Sequence, residues 1–146
     1  MSWHNCERAM LRVETKSRAR ALQILYAWEL LGERPIPLVV NGVARLTGPE
    51  PRVFDRAEKL AAGVVSDIAA LDAELSQAAD NWRMSRIAAV ERNILRLGIH
   101  ELRQGDVPPK VAIDEAVKLA HWFGGARAAG FVNGVLDGVA HTLGRL

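Results

Sequence analysis

The stretch R-I-A-A-V-E-R-N-I-L-R-L-G-I-H-E-L at 86–102 places Ile87, Val90, Ile94, Leu97 and Gly98 on one helical face. Leu95, Ile99 and Leu102 widen that face, so this helix is apolar on too many sides to lie at a surface and reads as the central buried element. No stretch on either side of it alternates apolar and polar residues in the manner of a half-buried strand. The fold class is all-α.

Toward the C-terminus, Gly105-Asp106-Val107-Pro108-Pro109 breaks the helix, because the double proline forbids helix at and before it. A helix over 109–123 then turns Ile113, Ala116, Val117 and Ala120 inward, and Gly124-Gly125 ends it. The last helix, about 126–143, packs Phe131, Val135, Leu136, Val139 and Leu143. Toward the N-terminus, the apolar period lapses over 79–85, with Trp82 in the join. Before it, Phe54, Ala57, Ala61, Val64, Ile68, Leu71 and Leu75 form one seam, the mark of a helix roughly 25 residues long. Arg34–Arg52, with Pro35, Pro37, Pro49 and Pro51, reads as a linker with room for a short helix over 38–46. Ahead of Gly32, Ala21, Ile24, Leu25, Trp28 and Leu31 make one apolar face, with Lys16, Arg20 and Gln23 opposite.

The chain of 146 residues fits a single domain, and its 49% hydrophobic content can fill an ordinary core. Nineteen Lys plus Arg against 17 Asp plus Glu leave a net charge of only +2, so a polyanion would have to be held by a local patch. A single cysteine, Cys6, excludes an internal disulfide framework and multi-cysteine zinc sites, and fits a cytoplasmic location. No apolar run is long enough for a membrane helix, and the first residues lack the pattern of a signal peptide. Residues 1–14 read as a flexible extension, with Met10 as a second candidate start and no role for His4 or Cys6.

Positive charge gathers where the first helix begins, at Lys16, Arg18 and Arg20 with Arg8 and Arg12 upstream. Cations there oppose the helix dipole, which raises the prospect of a phosphate partner, although composition alone still favours a plain solvated face. Arg83, Arg86, Arg92, Arg96 and Arg103 are interleaved with Glu91 and Glu101, so part of that series must pair within the molecule. Tyr26 and Phe131 are the aromatics to consider for base stacking, although a core role suits Phe131 better. Asn133-Gly134 inside a helix costs stability relative to alanine, which points to close packing or a polar contact. Catalysis finds no support: the four histidines lack metal-site spacing, nucleophile and nucleotide loops are absent, and Asp114 and Glu115 diverge on their helix. No catalytic residue, metal site or cofactor is expected.

R-A-R-A-L-Q-I-L-Y-A-W at 18–28, N-W at 81–82, R-I-A-A-V-E-R-N-I-L-R-L at 86–97, E-L at 101–102, K-V-A-I-D-E-A-V-K-L-A at 110–120 and F-V-N-G-V-L-D at 131–137 together resemble the bacterial NusB family of transcription antitermination factors, over about residues 15–140. The resemblance implies about seven helices in two perpendicular three-helix-bundle-like halves, here about 15–80 and 81–146, within one RNA-binding domain over 15–146. It also implies a non-enzymatic protein that pairs with NusE, a small-subunit ribosomal protein. The pair binds boxA RNA of nascent ribosomal-RNA transcripts and joins the elongating polymerase with other Nus factors. By position, Lys16 and Arg18 match the family's RNA-contacting basic segment, and Arg20, Gln23, Tyr26, Arg86, Phe131 and Asn133 join them as RNA-binding candidates. Glu91 and Arg92 are the partner-binding candidates. The basic segment is thinner than in many members, with Glu14 and Thr15 where further cations are common.

Two other readings remain open. One is the NusB-like RNA-binding domain of a ribosomal-RNA cytosine methyltransferase, though no glycine-rich cofactor loop or catalytic cysteine motif follows. The other is a dimeric helical scaffold without an RNA role, favoured only by the near-neutral charge; self-association is compatible with either role.

Overall fold

The computed structural model describes residues 12–79 and 84–146. Trp82, Arg83 and the extension up to residue 11, including His4, Cys6 and Met10, lie outside the described residues. Among the described residues there are seven α-helices and no strand: α1 Val13–Leu30, α2 Ile36–Thr47, α3 Pro51–Ser66, α4 Ile68–Ala78, α5 Ala89–Gln104, α6 Pro109–Phe123 and α7 Ala128–Thr142. A single 3-10 turn, Met84–Arg86, precedes α5. The chain divides into two compact units, Met1–Val65 and Ser66–Leu146.

Three boundaries differ from expectation, each for a local reason. Val13 and Glu14 already belong to α1, so the helix reaches into the expected extension. The presumed linker is a full helix, α2, that buries Ile36, Val39, Val40 and Val43. Its prolines do not break it: Pro35 sits at the N-cap and Pro37 in the first turn, where a missing N–H costs nothing. The seam from Phe54 to Leu75 is two helices, because the chain turns at Asp67 between α3 and α4. The units consequently part at Ser66 rather than near residue 81, and α4 joins the second.

In the first unit, α1 packs against α2, and it lacks the one-sided apolar stripe read from its sequence. Thr15, Ser17, Arg18 and Arg20 are buried along with Ala21, Ile24, Leu25 and Trp28. Ser17 meets the need of its hydroxyl by donating to the Val13 carbonyl at 2.6 Å.

In the second unit, α5 is buried from Asn93 to Leu102, as its apolar breadth predicts. Three contacts fix its relation to α7. The Glu91 carboxylate accepts from the Gly125 amide at 3.0 Å, Gly98 faces Leu136, and the Arg145 guanidinium donates to the Leu102 carbonyl at 3.1 Å. Both helices therefore start at the same end and run parallel, with α6 returning the chain between them. Gly98 allows the closest approach, since a Cβ there would lie 2.6 Å from a Leu136 methyl. Asn133 and Gly134 are in α7 as helix, but Asn133 is exposed and a Cβ on Gly134 would meet open space, so the expected close packing is not there.

Burying α5 buries polar groups, and these are satisfied internally. Arg96 grips Asp72 of α4 with two parallel bonds, Nε to Oδ1 at 2.8 Å and Nη2 to Oδ2 at 2.9 Å. Its Nη1 donates to Asn93 Oδ1 at 3.1 Å, and Asn93 in turn donates to the Ala89 carbonyl at 3.0 Å. Arg103 pairs with Glu74 at 3.5 Å, so the interleaved arginines do pair within the molecule.

Removing one partner of such a pair strands the other charge. Asp72→Ala should cost about 2–3 kcal/mol in urea unfolding, below the fully buried case because the carboxylate is partly solvated. His100 supplies a second test. Its burial disfavours the imidazolium and holds its pKa below the ordinary 6.5, against the attraction of Asp67 and Glu101. The unfolded chain thus binds this proton more readily than the fold does. Stability should be complete above pH 6.5 and fall as the pH drops below it, and His100→Gln should flatten that slope in pH-dependent thermal melts.

Candidate nucleic-acid interface

The basic start of α1 is not an exposed patch. Arg18 and Arg20 are 6% and 1% exposed, and Arg20 is enclosed by internal partners: Nη1 donates to Gln23 Oε1 at 2.9 Å, Nη2 lies 3.7 Å from Glu50, and the guanidinium sits 6.0 Å from the Phe54 ring centroid. Glu50 also takes Lys16, at 2.7 Å. Lys16 and Arg20, which seemed to need an outside anion, thus share an inside one, Glu50, immediately before α3. Burial of Arg18 and Arg20 corrects their reading as surface phosphate contacts, and charge reversal at Arg18 would disturb the core.

Solvent does reach one stripe of α1, through Lys16, Gln23, Tyr26 and Leu30 at spacings of seven, three and four. Tyr26 is 39% exposed, so its ring is available. Around the stripe's beginning, Arg12 and Arg56 flank Glu14. A hydrogen bond to its own backbone amide holds the Glu14 carboxyl below its ordinary pKa, helped by Arg56, Arg12 and Arg18.

The second unit brings its candidates together more closely. Arg86, Ile87, Ala88, Glu91, Gly125, Arg127, Ala128 and Phe131 line a groove of about 320 Å³ where α5 and α7 begin. Arg86, Glu91 and Phe131 were expected from sequence; Arg127 was not. Its signal was weak, a lone cation in the Gly- and Ala-rich run 124–130, and only the turn before α7 carries it to the groove. Phe131 is half-buried, neither core nor fully free, with part of its ring on the groove wall. Asn133 stands two residues on, about 200° around the helix, and does not line the groove.

The groove's shape depends on the turn between α6 and α7. Gly124 must lack a side chain, because a Cβ there would come within 2.5 Å of the Ala128 methyl and 2.7 Å of the Ala120 carbonyl oxygen. Glu91 reaches across to hold the next residue through the Gly125 amide. That gives Glu91 a structural task where a partner contact was expected. Arg92 likewise turns inward, donating to the Ile87 carbonyl at 3.0 Å from a half-buried position. Two guanidinium groups beside an apolar and aromatic wall can hold a phosphate and a flat base together. Among the described residues, no group of three or more His, Cys, Asp or Glu is placed to hold a metal ion.

The profile of the NusB family matches residues 15–141. The chain is also 44% identical over 130 residues to the transcription antitermination protein NusB of Sorangium cellulosum, covering 88% of this chain and 92% of that protein. The chain belongs to the NusB family. Its NusB relative in Anaeromyxobacter dehalogenans is 40% identical over 129 residues, covering 88% of this chain and 91% of that one. In structure the chain is similar to the NusB of a crystal complex of antitermination factors NusB and NusE with dsRNA, with a TM-score of 0.79, 27% identity and coverage of 91% and 99%. The solution structure of NusB from Aquifex aeolicus gives a TM-score of 0.78 at 28% identity, covering 90% of this chain and 89% of that one. The all-helical architecture here is thus the NusB architecture.

If Glu91 holds the turn, Glu91→Ala should speed hydrogen exchange at the Gly125 amide by tenfold or more while exchange in the middle of α5 is unchanged. Equal exchange in both proteins would remove the latch.

Proposed function

We propose that this chain is a non-catalytic transcription antitermination factor. It pairs with NusE, binds boxA RNA of nascent ribosomal-RNA transcripts and joins the elongating polymerase with other Nus factors, in the cytoplasm. The observation that carries this reading is the groove, which sets Arg86, Arg127 and Phe131 at one site in a member of the NusB family. The NusB structure solved with NusE and dsRNA supports it from outside the chain. Among the described residues no helix is long and apolar enough to cross a membrane, which is compatible with that setting.

The charge arrangement adds a quantitative expectation. With Arg18 and Arg20 committed inside, few cations face solvent on α1, so the protein alone should bind RNA weakly and gain affinity when a partner extends the surface. Specificity then comes from unpaired bases set against Phe131 in the groove, and the exposed Tyr26 ring of the first unit is a separate stacking candidate.

The test is binding of a fluorescent boxA-like RNA and a scrambled control, with and without NusE, at two salt concentrations. Selective binding enhanced by NusE is expected, and equal or absent binding to both RNAs throughout would favour the scaffold. Arg86→Glu with Arg127→Glu should weaken binding and reduce the salt slope by about 0.7 for each lost phosphate contact, with the melting temperature nearly unchanged. Phe131→Ala should weaken binding by about tenfold, as the loss of one stacked base does.

A further inference from the structure

The two cations of the groove sit on different turns, and both turns are tied to the same end of α5. Arg86 belongs to the 3-10 turn before α5, and Arg127 is the residue just before α7. The ties come from consecutive side chains. The Glu91 carboxylate accepts from the Gly125 amide at 3.0 Å, two residues before Arg127, and Arg92 Nη1 donates to the Ile87 carbonyl at 3.0 Å, one residue after Arg86. Side chains on a helix tilt toward its N-terminus, and neighbours diverge by about 100° around the axis. Glu91 and Arg92 therefore reach past the start of α5 in two directions, one onto each rim. Neither bond is the one a helix start favours by itself. A glutamate at the third helical position ordinarily folds back on the amide of the cap residue, but the cap here is Ala88, whose side chain makes no bond, and the Glu91 carboxylate goes across to the turn before α7. A guanidinium this close to the positive end of the helix dipole is unfavourable alone, and that of Arg92 is set against a carbonyl. Both side chains are half-buried, which strengthens the two bonds against competition from water.

We propose that Glu91 and Arg92 are positioning residues, a two-sided clamp that fixes the separation of the groove's rims so that Arg86 and Arg127 meet RNA phosphates as one preorganised pair. The proposal rests on the RNA-binding reading of the groove and gives that reading a means of selectivity. Exposed arginines lose side-chain freedom when they bind, and mounting both on one turn of a buried helix removes the further cost of ordering two loops. A fixed separation also disfavours strands whose phosphates do not match it while a base lies on Phe131. Neither Glu91 nor Arg92 is assigned a contact with RNA. Arg92 acts through the turn that carries Arg86 and Glu91 through the turn that carries Arg127, which distinguishes both from a cation that adds its own phosphate contact.

Hydrogen exchange and a mutant cycle on the full chain test this. In the free protein, Arg92→Met should speed exchange about tenfold at the Ile87 amide, which donates to the Met84 carbonyl at 3.2 Å, and leave the Gly125 amide unchanged. Arg92→Lys, whose ammonium can still reach the Ile87 carbonyl, should restore most of that protection. Unchanged exchange in the middle of α5 verifies that the fold survives. With a boxA-like RNA at low salt, Arg92→Met should weaken binding about fivefold, more than with a scrambled RNA, and should add nothing once Arg86→Gln is in place. The reciprocal cycle, Glu91→Ala with Arg127→Gln, should behave alike. Unchanged exchange at Ile87, equal losses for both RNAs, or effects of Arg92→Met and Arg86→Gln that multiply would each overturn the proposal while wild-type selectivity keeps the RNA reading. A wild type that binds neither RNA would overturn that reading and the phosphate role of the clamp with it.

Discussion

The fork between Arg96 and Asp72 is the constraint on which the second unit depends. A helix buried on every side cannot leave a guanidinium unpaired, and Arg96 is seven per cent exposed in the middle of α5. Asp72 meets it with two bonds, Asn93 with a third, and the Ala89 carbonyl completes the chain. A buried ion pair adds little over an apolar pair of the same shape, yet its geometry tolerates no slippage. It acts as a pin that sets α4 against α5. With α5 so placed, Gly98 fixes the approach of α7, and the shared starting end of α5 and α7 becomes the groove.

The same rule governs the first unit with the opposite effect on function. Glu50 draws Lys16 and Arg20 inward, and the Phe54 ring covers the guanidinium. Charge that composition places at a helix start is spent on holding α1 to the beginning of α3. The groove cations Arg86 and Arg127 do face solvent, and they stand on an apolar wall rather than in a basic tail. A site built this way favours bases and phosphates presented together over nonspecific polyanions.

Much of this was legible in the residues, and the failures have physical causes. Pro108-Pro109 and Gly124 bound α6 where they should, and the breadth of apolar positions correctly made α5 the central helix. Arg18 and Arg20 were misplaced because a cation at a helix start looks the same whether it meets solvent or a carboxylate thirty residues on. The join at Asp67 was missed because no glycine or proline marks it and the apolar spacing runs through it. Pro35 and Pro37 were read as breakers, although the same fixed φ that ends one helix begins another. Arg127 became a groove residue only through the turn at Gly124-Gly125, which three-dimensional contacts impose and sequence spacing does not encode.

The parallel course of α5 and α7 also has a temporal side. Parallel neighbours need a returning segment, so the groove draws on residues 86–91 and on 125–131, and the contacts that close it join positions more than thirty residues apart. During synthesis, α1, α2 and α3 are complete long before the partners of α5 emerge. For that interval α5, which the finished unit buries from Asn93 to Leu102, stands without its covering, and Arg96 can reach Asp72 while Leu136 has yet to arrive opposite Gly98. The pin that sets register in the finished unit is therefore also among the earliest long-range contacts a nascent chain can make, holding two helices in place until the third can pack on them.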